Sequence, residues 1–235
     1  MSDTSRERVI AAATRLFAEH GYDRTTTRQI AAEAGLNLAT VSYHVGGKRE
    51  LYQEVMRRAH EAERAVLAEA LAEFAAAPSP AAAVTGLLDR YLDFCLDQPQ
   101  VPALWMRRWL EDAAEVTDLE AAYARPLIDS VHRTVAAVLP AQGRRSANDL
   151  EMTIWTVLWT THGFCRAGVL DAAGARRGAK DPAAVARFRR HLRATVLRDL
   201  GLAEDPAEAP AEAPAEDPAE DPAEDPAEAP QEAGK

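Results

Sequence analysis

Thr40, Tyr43 and His44 place three hydrogen-bonding side chains within one short stretch, TVSYHVGGKRE (residues 40–50). A hydroxyl, a phenol and an imidazole can exchange hydrogen bonds with the edges of nucleic-acid bases and with phosphate oxygens. At about 100° per residue, these side chains and Ala39 lie on one arc of a helix, which we call the outward, polar arc. The apolar side chains lie on the opposite arc: Leu38, Val41 and Val45. Because the polar arc carries no carboxylate, we predict that it enters the major groove of DNA.

Positive charge surrounds this stretch, with a net charge of +3 between residues 24 and 49. It comes from four basic residues and one acidic residue: Arg24, Arg28, Lys48, Arg49 and Glu33. Thr25, Thr26 and Thr27 stand at a predicted helix N-terminus, where hydroxyls and free backbone amides suit phosphate oxygens. Lys48 follows two glycines, which permit close approach of the backbone to a phosphate. We therefore predict phosphate contacts on both sides of the polar arc.

The elements that must position these residues are three short N-terminal helices. Capping boxes at Thr4 and Thr26 open the first and second helices, which end at Gly21 and Gly35. Asn37 is a favourable N-cap for the third helix. Two short helices around a tight, glycine-containing turn are typical of a helix-turn-helix. We predict this motif within a DNA-binding domain over residues 1–50.

Helix signals continue along the chain, and strand alternation is absent. The further predicted helices span residues 48–76, 80–97, 103–113, 119–139, 146–170 and 182–200. Pro126 lies inside one of them and should kink or split it, because proline removes a helix hydrogen bond and clashes with the preceding turn. We predict an all-α protein of about nine helices, with a ligand-binding and dimerisation domain over residues 51–200.

The C-terminal tail, residues 201–235, differs in kind from the rest of the chain. It carries twelve acidic residues and one lysine, a net charge of −11, whereas the whole chain carries −10, so the remainder is close to neutral at +1. Proline recurs every fourth residue from Pro206 to Pro230. Such a segment cannot bury enough apolar surface to offset its chain entropy, so we predict disorder. It is either a solubilising appendage or a competitor for the basic DNA-binding surface.

Several functional classes find no support in the sequence. Cys95 and Cys165 stand in separate apolar runs without metal-ligand or disulfide spacing, which favours buried reduced thiols. No nucleophile–base constellation, phosphate loop or metal site is visible, and Glu111-Asp112 is most simply a solvated acidic pair. We expect no enzyme, cofactor or metal. Without a membrane-length apolar run or a signal peptide, we expect a soluble cytoplasmic protein that binds no membrane.

The segment TTTRQIAAEAGLNLATVSYHVGGKRELYQEV resembles the N-terminal domain of the tetracycline-repressor-like (TetR) family of transcription regulators. The matching residues occur in order and without gaps: Thr26, Ile30, Ala31, Ala34, Gly35, Thr40, His44, Lys48 and Leu51. The resemblance covers roughly residues 5–55 and implies DNA contacts by Thr26, Arg28, Thr40, Tyr43, His44 and Lys48. With the outward arc and the threonines, the predicted DNA-binding residues are Thr25, Thr26, Thr27, Arg28, Ala39, Thr40, Tyr43, His44 and Lys48. Ser42 departs from the family, which usually has a phosphate-contacting tyrosine there, and Ala39 stands where glycine or proline is common.

The predicted helix around residues 153–165 has no charged residue in that range, which is typical of a helix buried on all sides. Its side chains form three stripes. The first contains Met152, Trp155, Trp159, His162 and Arg166; the second Leu150, Ile154, Leu158, Thr161 and Cys165; the third Thr153, Thr156, Thr160, Gly163 and Ala167. The third stripe is small enough to let another helix approach closely. The resemblance implies a homodimer through the last two helices.

All four tryptophans lie outside the predicted DNA-binding domain, as two i,i+4 pairs. The resemblance implies a mostly apolar pocket for a small effector, and the tryptophan stripe is our candidate for its wall. The predicted pocket residues are Tyr91, Phe94, Trp105, Met106, Trp109, Tyr123, Trp155, Trp159, His162 and Arg166. For any one tryptophan the alternative is an ordinary core position.

The function that this pattern favours is a transcriptional regulator, a repressor released from a palindromic double-stranded DNA operator by a small hydrophobic effector. The alternative is an effector-independent DNA-binding activator or architectural protein. The sign of regulation depends on where the operator lies, which the sequence of the protein does not contain.

Overall fold

The computed structural model describes residues 2–110, 112–139 and 149–202 of the 235-residue chain. Nine α-helices occur within these ranges: α1 (Ser2–His20), α2 (Thr27–Ala34), α3 (Leu38–Val45), α4 (Lys48–Ala75), α5 (Pro80–Asp97), α6 (Gln100–Trp109), α7 (Arg125–Val138), α8 (Leu150–Ala167) and α9 (Pro182–Asp199). The prediction of an all-α protein is confirmed. Among the helices described, none combines the length and apolarity needed to cross a membrane.

The first three helices form the predicted helix-turn-helix. The Thr26 hydroxyl accepts a hydrogen bond from the Gln29 backbone amide at 3.2 Å, and the Gln29 side chain accepts one from the Thr26 amide at 2.8 Å. Gly35 ends α2 with φ +64°, a left-handed conformation that glycine adopts without strain. The Asn37 side chain accepts from the Thr40 amide at 2.8 Å and so caps α3. Three local signals thus mark the start of α2, its end and the start of α3.

Helix α4 connects the helix-turn-helix to the rest of the protein. Its buried face packs against α1 through Leu51, Val55 and Met56, and further along against α5. Beyond it, α8 packs against α5, α6, α7 and α9, and α5 also contacts α9. These packed helices hold the apolar core of the larger part of the chain.

Several boundaries differ from the sequence prediction. Helix α1 begins at Ser2 rather than Thr4, since no glycine or proline precedes Thr4 to stop it. Helix α6 begins at Gln100, because Pro102 lies in its first turn, where a missing amide costs no helix hydrogen bond. It ends at Trp109 rather than 113.

The segment around Pro126 is interrupted as expected. A π-helical turn, Glu120–Ala124, precedes α7, and Pro126 occupies its first turn. Asp149 caps α8 by accepting from the Glu151 amide at 3.0 Å. The predicted cap Ser146 and the predicted tail beyond Leu202 lie outside the described residues.

A short antiparallel β-hairpin follows α8 and was not predicted. It pairs Val169–Leu170 with Arg176–Arg177. Two residues in each strand are too few to show an alternating pattern, so the sequence gives no strand signal here.

Candidate DNA-binding face and ligand cavity

The outward arc of α3 is exposed in the structure. Tyr43 is 85% exposed, Ala39 and Ser42 are exposed, and Thr40 is half-buried with its hydroxyl donating to the Asn37 side chain at 2.9 Å. Val41, on the opposite arc, is buried. The side chain of the predicted contact His44 lies outside the described part of the structure. The described side chains on the outward arc are small or hydrogen-bonding and carry no charge.

The three consecutive threonines at the start of α2 have different environments. Thr26 is exposed and Thr27 is half-buried, while Arg28 beside them is exposed. Thr25, in contrast, is only 1% exposed, and its hydroxyl donates to the Gly21 carbonyl oxygen at 2.6 Å. In this conformation Thr25 has no surface to offer a phosphate and instead holds the turn between α1 and α2.

Lys48 is fixed on the other side of the outward arc. Its Nζ lies 4.1 Å from the centre of the Tyr22 ring, a cation–π contact that holds the ammonium near α3. The Gly47 amide donates to the Glu50 carboxylate at 3.0 Å, which satisfies one of the free amides at the start of α4. The charge of Lys48 is therefore directed by a ring from the α1–α2 turn.

Helix α6 and the loop after it grip the end of α1. Arg107 donates from Nε to the Ala18 carbonyl oxygen at 2.9 Å and from Nη2 to the backbone carbonyl oxygen of Glu19. Cations stabilise a helix C-terminus in this way, because its last carbonyls have no partner within the helix. The guanidinium thus ties α6 directly to the first helix of the helix-turn-helix.

Asp112 completes this joint and corrects the prediction of a solvated acidic pair. Its carboxylate accepts from the backbone amides of Tyr22 at 2.6 Å and Asp23 at 3.0 Å. Gly21 has φ +87°, and a Cβ there would lie 2.9 Å from the Asp112 Oδ2 atom. The Tyr22 hydroxyl donates to Glu115 at 2.5 Å, and burial together with this carboxylate raises the pKa of Tyr22. Glu111, the other member of the pair, lies outside the described residues.

An apolar cavity of about 90 Å³ lies between α4, α5, α6, α7, α8 and α9. Ligand sites in proteins commonly have mostly apolar walls with a few polar groups. Its aliphatic walls come chiefly from α5, α7 and α8: Val84, Leu87, Leu88, Leu127, Ile128, Val131, Val135, Leu150, Ile154, Val157 and Leu158. This apolar lining is typical of a site for a hydrophobic molecule.

One end of the cavity is polar. The Tyr91 hydroxyl donates to Glu63 Oε1 at 3.0 Å and lies 2.7 Å from His162 Nε2. Burial raises the pKa of the Glu63 carboxyl to about 7, although the Tyr91 hydrogen bond opposes this. The Trp105 indole N–H also lowers that pKa, but its geometry falls short of a hydrogen bond. Burial lowers the pKa of His162 to about 3, so its imidazole is neutral.

Stacked aromatic rings adjoin this polar end. The Trp109 ring stacks on His162 at 5.3 Å between centroids and on Trp105 at 5.9 Å, and Tyr91 stacks on His162 at 6.0 Å. Trp155 meets Trp109 edge-on at 5.4 Å. The polar end of the cavity therefore adjoins a cluster of packed aromatic rings.

Four of the ten predicted pocket residues line this cavity: Tyr91, Trp105, Trp109 and His162. Met106, Trp155 and Trp159 instead line a second, open groove, shared with Arg108, Leu110 and Glu120. Phe94 is a core residue, Tyr123 stacks on His60 at 4.7 Å, and Arg166 is exposed. Of the tryptophan stripe of α8, only His162 lines the cavity, whose wall from this helix is otherwise mainly aliphatic, while Trp155 and Trp159 line the groove; which of the two binds an effector stays a prediction.

Helix α8 is not buried on all sides in the single chain. Trp159 is 50% exposed, and Met152, Thr156 and Thr160 are also exposed. Glu63, in turn, was missed as a site residue. The signal that could have found it is its position on the buried stripe of α4, four residues after Ala59 and four before Leu67.

Comparison with known proteins identifies the N-terminal part of the chain. Residues 9–55 match the model of the family described as bacterial regulatory proteins, tetR family. This segment is a TetR-family domain. The resemblance inferred from the sequence is thereby confirmed. The TetR-family domain contains α2, α3 and the start of α4, which carry the exposed arc and Lys48.

Two curated relatives match part of the chain. The HTH-type transcriptional dual regulator CecR from Shigella flexneri is 44% identical over 50 residues, which are 21% of this chain and 22% of CecR. The HTH-type transcriptional repressor AcnR from Corynebacterium efficiens is 32% identical over 69 residues, 29% of this chain and 35% of AcnR. The matches span between about a fifth and a third of the length of these relatives.

The fold as a whole is shared with a solved TetR-family structure. The TetR-family transcriptional regulator PfmR from Thermus thermophilus superposes with a TM-score of 0.57, over 85% of this chain and 97% of PfmR. The two sequences are 19% identical. At this identity the likeness concerns the fold of the TetR-family domain together with the helices that follow it.

Proposed function

We propose that this protein is a DNA-binding transcriptional regulator, a repressor that a small hydrophobic effector releases from a palindromic operator. The observation that carries the proposal is the outward arc of α3, exposed at Tyr43 and free of carboxylates among its described side chains. A helix-turn-helix places the N-terminal half of such a helix against base edges in the major groove. Arg28 and Lys48 supply positive charge for phosphates on its two sides.

A homodimer would present two recognition helices to one operator. The exposed face of α8 offers a partly apolar surface to a second copy of the chain. It is formed by Met152, Thr156, Trp159 and Thr160. Helix α9 packs beside it, with the Phe164 and Phe188 rings stacked at 4.2 Å. Two helix-turn-helix domains in one dimer, bound to half-sites about 34–36 Å apart, gain affinity through effective concentration. We therefore propose α8 and α9 as the dimer surface.

Helix α6 is the proposed link between the cavity and DNA. Trp105 and Trp109 line the cavity from this helix, while Arg107 holds the end of α1 through carbonyl oxygens. A molecule that displaces the tryptophans must also displace Arg107, since they share one rigid element. An effector lowers operator affinity only by as much as it prefers the conformation that DNA does not bind. This link favours an effector-responsive regulator over an effector-independent DNA-binding protein.

The test is a gel mobility-shift titration with DNA from upstream of the protein's own gene. Tyr43→Ala should abolish specific retardation, and Lys48→Ala should weaken binding to all DNA and lower the salt slope by about one. The matched control is Lys180→Ala, which is exposed and lies outside both the TetR-family domain and the two helices of the proposed dimer surface. Loss of specific binding in the Lys180 variant, with normal binding in the Tyr43 variant, would place the DNA-binding surface elsewhere.

A further inference from the structure

The cavity contains an acidic group without a basic partner. Among the described residues that line it, Glu63 is the single carboxylate, and none is lysine or arginine. Glu63 is 6% exposed and receives a hydrogen bond from Tyr91. A carboxylate so far from water is costly unless a charged or hydrogen-bonding group compensates it.

The hydrogen-bond chain that starts at Glu63 shows what a ligand must supply. A charged carboxylate only accepts, so the single Tyr91 hydroxyl proton goes to Glu63. His162 Nε2 must then carry a proton and donate to the Tyr91 oxygen, which leaves Nδ1 as an acceptor. His162 is 1% exposed and its Nδ1 has no hydrogen-bond partner. Both ends of the chain, Glu63 and Nδ1, accept hydrogen bonds and would be matched by an N–H donor, whereas the unpartnered indole N–H groups of Trp105 and Trp109 would be matched by an acceptor.

The neighbouring rings favour positive charge as well. Trp105 and Trp109 line the cavity beside Glu63, and the faces of indole rings attract cations within about 6 Å. An anionic ligand would meet the Glu63 carboxylate with no basic side chain to offset it. The same walls accept a hydrocarbon or aromatic body, because the remaining lining is almost entirely aliphatic.

We propose that the cavity binds a lipophilic amine in its protonated form, with the ammonium group against Glu63 and Trp105 and the apolar body between α5, α7 and α8. This names the ligand class of the effector site in the proposed function and rests on it. The ligand supplies the cation that the cavity lacks, and the aliphatic walls select for its hydrophobicity.

The experiment measures the binding of three probes that share one alkyl chain and differ in the head group: decylammonium, decanol and decanoate. Binding is followed by calorimetry and by tryptophan fluorescence at pH 8. We expect decylammonium to bind at least about tenfold more tightly than decanoate. Glu63→Gln should remove this preference while leaving decanol binding within about twofold. Glu69→Gln, an exposed change on the same helix, should behave as the unchanged protein.

Decanoate binding as tight as decylammonium, an unchanged preference in the Glu63 variant, or no binding of any probe would overturn the proposal. Circular dichroism of the Glu63→Gln variant is the check that its fold is retained. Operator binding is measured in parallel without probe, so a protein that retards DNA but lacks the charge preference refutes only this inference. A protein that prefers the cation but does not retard DNA refutes only the regulator.

Discussion

Replacing Glu63 with glutamine should stabilise the unliganded protein at pH 8 and leave it almost unchanged at pH 4.5. Burial raises the pKa of this carboxyl from 4.5 to about 7. A raised carboxyl pKa contributes stability that is complete below the unfolded value and is lost as pH rises through the folded value. At 1.36 kcal/mol for each pKa unit, the loss at pH 8 is about 3 kcal/mol. Glutamine has no charge to desolvate, so it avoids this loss.

The assay is thermal unfolding of the two proteins at both pH values. For a chain of this size, about 3 kcal/mol corresponds to a rise in Tm of roughly 6–12 °C at pH 8. At pH 4.5 the expected difference in unfolding free energy is under about 0.5 kcal/mol. Neither neighbour titrates in this window, because the pKa of Tyr91 is raised well above its usual value and that of His162 is about 3.

Glu69→Gln serves as the control, since Glu69 is exposed on the same helix and its replacement should change stability by under about 0.5 kcal/mol. A Tm difference between Glu63→Gln and the unchanged protein that is the same at pH 4.5 and pH 8 would refute the reasoning. It would mean that the carboxyl does not ionise in a buried site.

Three further outcomes are expected. Asp112→Ala removes the acceptor for two backbone amides and should lower the free energy of unfolding by about 2 kcal/mol; denaturant unfolding measures this, and an unchanged midpoint would show that the joint adds nothing. Trp105→Ala, in the cavity, should weaken effector binding and its fluorescence response, whereas Trp159→Ala, in the outer groove, should retain both; calorimetry that finds the reverse would move the site to the groove. The effector should lower the affinity for operator DNA by about 5- to 150-fold, and operator DNA should lower the affinity for the effector by the same factor. Titrations in both orders that give unequal factors would contradict a single linked equilibrium.

The helix-turn-helix could be predicted because its determinants are local. Thr26 caps α2 by accepting from the backbone amide three positions later, and Asn37 caps α3 by accepting from the Thr40 amide at the same spacing. Gly35 marks the turn because its left-handed conformation is costly for other residues. Short-range signals of this kind do not depend on the rest of the fold.

Boundaries and burial were predicted less well where a local signal had two solutions. Pro102 read as a reason to start α6 later, yet proline is equally compatible with the first turn of a helix. The absence of charge on α8 predicted a fully buried helix, but Trp159 is half-exposed in the structure. The sequence shows that a face is apolar without showing what covers it.

The amino-acid sequence by itself determined the helices, their caps and the outward arc of α3, since these follow from residues within one or two turns of each other. The tertiary structure decided the roles of Glu63, Thr25 and Asp112. Glu63 finds its hydrogen-bond donor in Tyr91, 28 residues later, and Asp112 finds one in Tyr22, 90 residues earlier. A carboxylate in a helix or loop is ordinarily solvated, and only the packing of distant helices removes the water and supplies the partners that give it a site.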